Sequence, residues 1–265
     1  MPSAPRKPRA RSYDPAKTRA AVLAQFRHVR QVVAGLSAEQ LAMPTRLGDW
    51  TVRELAAHIA SVTDNVSRSI EAPAPEKHEV ALVDWAFATR AFAGKVDEAA
   101  HEAAAGAEPL ALFDRTAARF TDITLPAPGD RLVAARVGAM HLDDLIVTRC
   151  VELIVHTDDL AAALGTEIPY DRQALATCVR LLADGLATKA PGGSVEVRIP
   201  PFAVVQCVAG PKHTRGTPPN VVETDPLTWV RLATGRTDWA TALDRAAVSA
   251  SGERADISAQ LPLLG

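Results

Sequence analysis

Only 5% of the 265 residues are aromatic, only three are cysteine, and neither sign of charge is in excess, with 29 Lys and Arg against 31 Asp and Glu. Each shortage excludes something. A chain that neutralises phosphates carries a clear surplus of Lys and Arg, so a formal net charge of -2 and a pI near 6.4 argue against a nucleic-acid partner. Cys150, Cys178 and Cys207 are isolated in apolar runs and odd in number. That excludes a disulfide framework or a C-x-x-C zinc motif and fits a reducing cytoplasm. No run approaches the roughly 18 apolar residues of a membrane span. The N-terminal MPSAPRKPRARSYDPAKTR is basic and punctuated by proline but has no apolar segment of the secretory kind. Residues 1–14 read as a disordered basic tail, with a nucleic-acid arm as the alternative.

What is present is a 48% hydrophobic content, enough to bury a sizeable core, in a length that predicts two domains at roughly 100–200 residues each. Residues 15–166 are Ala-rich and helical in period. AKTRAAVLAQFRHVRQVVAGL predicts a helix stopped at Gly35. In LGDWTVRELAAHIASVTDNVSRSI, Thr51 stands three residues before Glu54, the spacing of a capping box, which predicts a second helix from near Trp50 to the breaks at Pro73 and Pro75. VALVDWAFATRAFAGKVDEAA and PLALFDRTAARFTDIT predict two more helices, followed by an LPAPGDR loop. HLDDLIVTRCVELIVHTDDLAAALG has acidic residues in its first turn and Gly165 at its end, the polarity of a long helix. EIPYDR serves as a linker. Residues 172–265 change character: a helix RQALATCVRLLADGLATK, then strands in SVEVRI, FAVVQCV, VVETDP, AAVSASG and ADISAQL, with short helices opening at Asp225-Pro226 and over DWATALDRAA. The expected fold is an up-down helical bundle followed by a small α+β domain.

Among seven histidines, two have settings that demand a partner. His58 is flanked by Leu55, Ala56, Ala57 and Ile59, and His156 follows Leu153, Ile154 and Val155. A buried polar group left unpaired costs about 1–3 kcal/mol. Glu152 precedes His156 by four residues, so both project from one helix face and can reach one metal ion. If the second helix lies beside the long one, His58 completes a set of two imidazoles and one carboxylate, which suits a divalent ion with an open coordination position, zinc first and iron as an alternative. The competing reading is an i,i+4 Glu–His ion pair on a solvated face, against which stands the apolar CVELIVH context. Arg149, one turn before Glu152, either orients that carboxylate or forms a plain intrahelical pair.

GDWTVRELAAHIA and TRCVELIVHTDDLAAALG resemble the two motifs of the mycothiol-dependent maleylpyruvate isomerase family, within the DinB-like metal-binding bundles. ETDPLTWVRLATGRTDWATAL and VSASGERADISAQLPLL resemble the sterol-carrier-like domain that follows the bundle in many members. The resemblance implies that His58, Glu152 and His156 are metal ligands and that a small thiol, mycothiol, is the cofactor. It also implies a small electrophilic substrate and a reaction of either cis-trans isomerisation or thiol transfer. A divalent ion lowers the pKa of a thiol, and the thiolate is the nucleophile, so the chain's own cysteines need play no part. Arg90 on the third helix, with Arg231 and Arg236 from the second domain, are candidates to hold anionic groups near the metal, each with a surface role as the alternative. Asp158 and Asp159 either fix a histidine tautomer or face solvent. Trp229 and Trp239 are expected to pack the small domain. The rival function is a non-catalytic carrier of an apolar small molecule.

Overall fold

The computed structural model describes residues 11–88, 93–210 and 218–264. Helix α1 (Pro15–Val33) opens with the Asp14 side chain accepting from the Lys17 amide, and a short α2 (Ala38–Leu41) follows. Helix α3 (Val52–Glu71) starts at the expected capping box: Thr51 accepts from the Arg53 amide while Glu54 accepts from the Thr51 amide at 2.9 Å. The expected third helix is α4 (Leu82–Ala88) and α5 (Ala93–Gly106), with residues 89–92 outside the described chain. Helix α6 (Pro109–Arg119) runs into a π-helical turn, Phe120–Thr124. Helix α7 (Leu142–Leu164) ends at Gly165, whose φ of 62° is a left-handed conformation that glycine adopts without steric cost.

One feature of the bundle was not expected from the sequence. Strands β1 (Leu132–Ala135) and β2 (Gly138–His141) form an antiparallel hairpin with Arg136 and Val137 as its turn. Two four-residue strands fall below the length at which alternation of side chains is a usable signal. The hairpin is tied to its surroundings: Ser69 on α3 donates to the Ala134 carbonyl at 2.9 Å, and the amides of Glu79 and Val80 donate to the Ala139 carbonyl.

Beyond the linker, Asp171 caps α8 (Arg172–Lys189), and the sheet follows: β3 (Val195–Ile199), β4 (Ala203–Cys207), β5 (Val221–Thr224) and, after α9 (Pro226–Ala233) and α10 (Trp239–Asp244), β6 (Val248–Ser251). Their order is β4-β3-β5-β6, with β3 and β5 parallel and both outer pairs antiparallel. ADISAQL, expected as a strand, is a 3-10 turn at Ser258–Gln260. The Asp256 carboxylate captures the Ser258 amide and bends the chain, and Pro262 has no N–H to offer a ladder. Helix α8 packs on α1, α4 and α7 of the bundle and on β4 and α9 beyond the linker, so the apolar core runs unbroken from Ala21 to Leu263. Trp229 is buried in it and Trp239 packs against it.

Of the expected tail, residues 11–14 are described and engaged: Arg11 holds Asp184 of α8 at 3.0 Å and Asp14 caps α1. Residues 1–10 lie outside the described residues. No helix among the described residues is long and apolar enough to cross a membrane.

Gly192 passes so close to the β4 end that a Cβ there would lie 2.0 Å from the Val208 carbonyl oxygen, whereas one at Gly106 would meet nothing within 4 Å. Gly192→Ala is expected to lower stability by about 1–3 kcal/mol, as overpacking against backbone does, and Gly106→Ala to be tolerated. Urea unfolding midpoints of the two variants test this.

Candidate metal centre

Helices α3 and α7 pack against each other, and where they cross they bring together His58, Glu152 and His156. Their donor atoms all lie within 4.8 Å of one another. Nε2 of His156 is 3.3 Å from a Glu152 oxygen, and Nε2 of His58 is 3.9 Å from the same oxygen. The two imidazoles meet edge to face with centroids 4.7 Å apart, and the Trp50 ring stands tilted 5.0 Å from that of His58. The solvated-face alternative fails here, because Glu152 is only 21% exposed and His58 8%.

The electrostatics suit a cation. Burial pushes the His58 imidazole down to about 4, so it is neutral with a lone pair available. Burial also works against charge on Glu152, but hydrogen bonds with His156 and His58 and the nearby Arg149 charge outweigh it and hold the carboxyl well below its usual range. On His156 burial again opposes charge, while Asp159 and Glu152 raise the pKa. Nδ1 of His156 is 2.9 Å from Asp159, which presents Nε2 to the cluster in one orientation. A neutral imidazole at His58, an ionised carboxylate at Glu152 and a second imidazole at His156 backed by a carboxylate form a donor set that fits a divalent ion of the zinc type, which His156 joins on giving up its proton.

The carboxylates behind the cluster organise the largest ionic network described in the chain. Asp158 and Asp159 are both buried. Arg46, in the loop before α3, bridges them, with Nε 2.6 Å from Asp159. Arg231 of α9 grips Asp158 at 2.6 Å and Arg236 grips Asp159 at 2.9 Å, and the Tyr170 hydroxyl donates to Asp158. On each aspartate, burial favours the neutral form, yet the arginines, joined by His156 at Asp159, win and hold the pKa low. The solvent-facing alternative for this pair is therefore excluded.

The cluster opens into a cleft of about 970 Å³ lined by Trp50, Val62, Trp85, Leu145, Val155 and others. The second domain contributes Arg236 and Leu264 to its wall. Of the arginines selected from the sequence, Arg236 lines the cleft while Arg231 is engaged with Asp158. Arg149 is buried, donates to the Thr148 hydroxyl and the Val62 carbonyl, and stands 3.8 Å from Glu152. Arg90 lies outside the described residues. Arg46 and Arg136 were not selected: each is a lone cation in a short loop or turn with no local pattern, and their neighbours are set by tertiary contacts. A second acidic group, Asp49, Asp97 and His101, is exposed, and Asp97 accepts from the Trp50 indole at 2.6 Å.

A family model described as the mycothiol maleylpyruvate isomerase N-terminal domain matches residues 22–161. The chain belongs to the mycothiol maleylpyruvate isomerase family. A second model, described as a bacterial sterol-carrier-protein ortholog, matches residues 171–263, which gives the family's two-domain architecture. The fold is similar to a crystal structure of the mycothiol-dependent maleylpyruvate isomerase, with a TM-score of 0.58 at 15% identity over 90% of this chain and 93% of that one. It is also similar to a histidine-to-alanine mutant of that enzyme, with a TM-score of 0.56 at 16% identity over the same shares. No curated protein matches the chain.

In this family member the aspartate pair has a measurable consequence. Asp158→Ala leaves Arg231 without its counter-charge and Arg46 with Asp159 alone; both guanidiniums are partly exposed, so the loss is expected to be about 1–3 kcal/mol. Replacing Arg53, whose pair with Glu108 is exposed, is expected to leave the urea midpoint close to that of the parent protein.

A pH dependence follows from His58. The unfolded chain takes up its proton near 6.5 and the folded chain only near 4, so acid draws the metal-free protein toward unfolding across that window. The lowered Glu152, Asp158 and Asp159 act in the same direction at lower pH, while the raised His156 works the opposite way, losing its contribution as pH rises above 6.5. Stability of chelator-treated protein is expected to fall between pH 6.5 and 4, with His58 supplying at most about 3 kcal/mol. Urea titrations across that range should show a shallower fall in His58→Gln.

Proposed function

We propose that this chain is a metal-dependent enzyme that uses a low-molecular-weight thiol of the mycothiol type to isomerise a small electrophilic substrate. The observation that carries the reading is the convergence of His58, Glu152 and His156 at the wall of a cleft large enough for a thiol and a substrate together. Those three residues would hold the ion. A divalent ion so held supplies a lowered pKa to a bound thiol, which makes thiolate available near neutral pH.

The chain's own residues account for the rest. Asp159 fixes the His156 ring, and Arg46 and Arg236 fix Asp159, so the donor set is held before anything binds. Arg149 balances part of the Glu152 charge. Trp50 and the Val62, Leu145 and Val155 wall exclude water beside the donors, which strengthens electrostatic interactions there.

An external thiol is favoured because no cysteine of the chain can serve. Cys150, Cys178 and Cys207 are all buried; burial pushes Cys207 up to about 11 and the other two further still. Thiol transfer onto the same class of electrophile uses the same site and is the alternative outcome of a turnover assay. The apolar-carrier reading has less support, because the large cleft lies in the bundle and takes only Arg236 and Leu264 from the second domain among the described residues.

Elemental mass spectrometry on protein purified without a His-tag or chelator is expected to find about one equivalent of zinc, and Glu152→Ala, His58→Ala and His156→Ala to reduce it at least tenfold. Absence of metal after zinc resupply would end the reading. Replacing all three cysteines by Ser or Ala is expected to spare thiol-dependent turnover in a folded protein. Selective loss in one replacement would move the nucleophile onto the chain.

A further inference from the structure

The arginines that border the cleft are largely spent on the protein itself. Arg149 donates to the Thr148 hydroxyl and the Val62 carbonyl and faces Glu152, and Arg236 is held by Asp159. Arg68 and Arg136 are exposed, and Arg68 is paired with Asp64. Among the described residues, no arginine buried in the cleft wall is left to meet an anion.

What the cleft offers beyond the metal-donor cluster is apolar. Val62 and Val66 are one helical turn apart on α3, as are Val151 and Val155 on α7, so each helix turns an aliphatic face toward it. Trp85 of α4 adds an indole, and the second domain adds Leu264. The segment that carries Leu264 is fixed: the amides of Leu263 and Leu264 both donate to the Ala233 carbonyl at the end of α9, at 2.8 and 3.0 Å, and Lys189 of α8 donates to the carbonyls of Gln260 and Pro262. This segment meets α4 on the surface of α8. A Cβ on Gly185 would lie 3.8 Å from Leu263 and 4.0 Å from Phe87, and the neighbouring Leu264 and Trp85 reach the cleft together. With Arg236 committed to Asp159, Leu264 is the half-buried side chain through which the second domain can touch a ligand. An ionic group placed against such walls would lose its hydration without a partner, whereas an alkyl or aryl group gains by leaving water.

We propose that the electrophile this site accepts carries an uncharged alkyl or aryl body that packs against Trp85 and Leu264, with Leu264 as a specificity-determining residue supplied by the second domain. This rests on the functional reading above but concerns the part of the ligand that lies away from the metal donors. Leu264 takes no part in bond making or breaking.

The test is fluorescence titration of the full-length protein, without thiol, with N-phenyl-1-naphthylamine, an uncharged aryl probe that brightens on leaving water. Its anionic counterpart, 1-anilinonaphthalene-8-sulfonate, is titrated in parallel, and zinc content is measured on each sample. The neutral probe is expected to bind the parent protein, to bind Leu264→Ala about tenfold more weakly or worse, and to bind Leu264→Met nearly as well as the parent, in line with the discrimination a hydrophobic pocket gains from a few carbon atoms. The sulfonate is expected to bind more weakly than the neutral probe. Urea midpoints of both variants close to that of the parent separate a lost contact from lost folding. If zinc is absent from every sample while the affinity still depends on Leu264, the apolar subsite stands and the metalloenzyme reading falls. Equal affinity in parent and Leu264→Ala, tighter binding of the sulfonate, or no binding of the neutral probe by the parent protein would overturn the proposal.

Discussion

Asp158 and Asp159 lie side by side near the end of α7 with their carboxylates removed from water, and two such charges persist only if cations reach them. The fold is arranged so that they do. Arg46 comes from the loop ahead of α3, and Arg231 and Arg236 come from the second domain, so one dipeptide fastens the bundle loop, the long helix and the α+β unit together. Every charge in the group has an opposite partner, which is the condition under which buried ions cease to be a liability.

This network also reaches the candidate site. Asp159 is shared between Arg236 and His156, so the orientation of a metal-ligand candidate depends on a residue from another domain. The second domain therefore acts at a distance on the cluster while adding only Arg236 and Leu264 to the cleft wall. Such an arrangement explains why the two units share one unbroken core through α8 instead of being joined by a free linker. Domains that moved independently would release the aspartates and with them the histidine.

The cluster itself balances burial against charge. His58 is driven neutral by its surroundings, and Glu152 is kept ionised by two histidines and Arg149 despite those surroundings. His58 and Glu152 are thus in the protonation states that a cation requires, while His156, whose pKa is raised by Asp159 and Glu152, must release a proton to join them.

The helices with strong local punctuation were legible from the chain alone: the Thr51–Glu54 capping box, the Gly165 stop and the Asp225-Pro226 start all lie where local hydrogen bonding and backbone geometry are decided within a few residues. The Glu152–His156 pair was legible for the same reason, since helical spacing fixes which side chains are neighbours. The β1–β2 hairpin was not legible, because four-residue strands take their identity from the partner they meet. Nor was Arg46, whose significance lies in a residue 112 positions away at Asp158. ADISAQL alternates like a strand and is a turn, because Asp256 offers its own backbone a closer partner. The sequence by itself determined the helices, their caps and the identity of the donor residues, all of which depend on interactions within about one helical turn. Only the tertiary structure decided that His58 joins Glu152 and His156 and that three arginines converge on Asp158 and Asp159, because charge pairing at close range is set by which surfaces the packing of the core brings together.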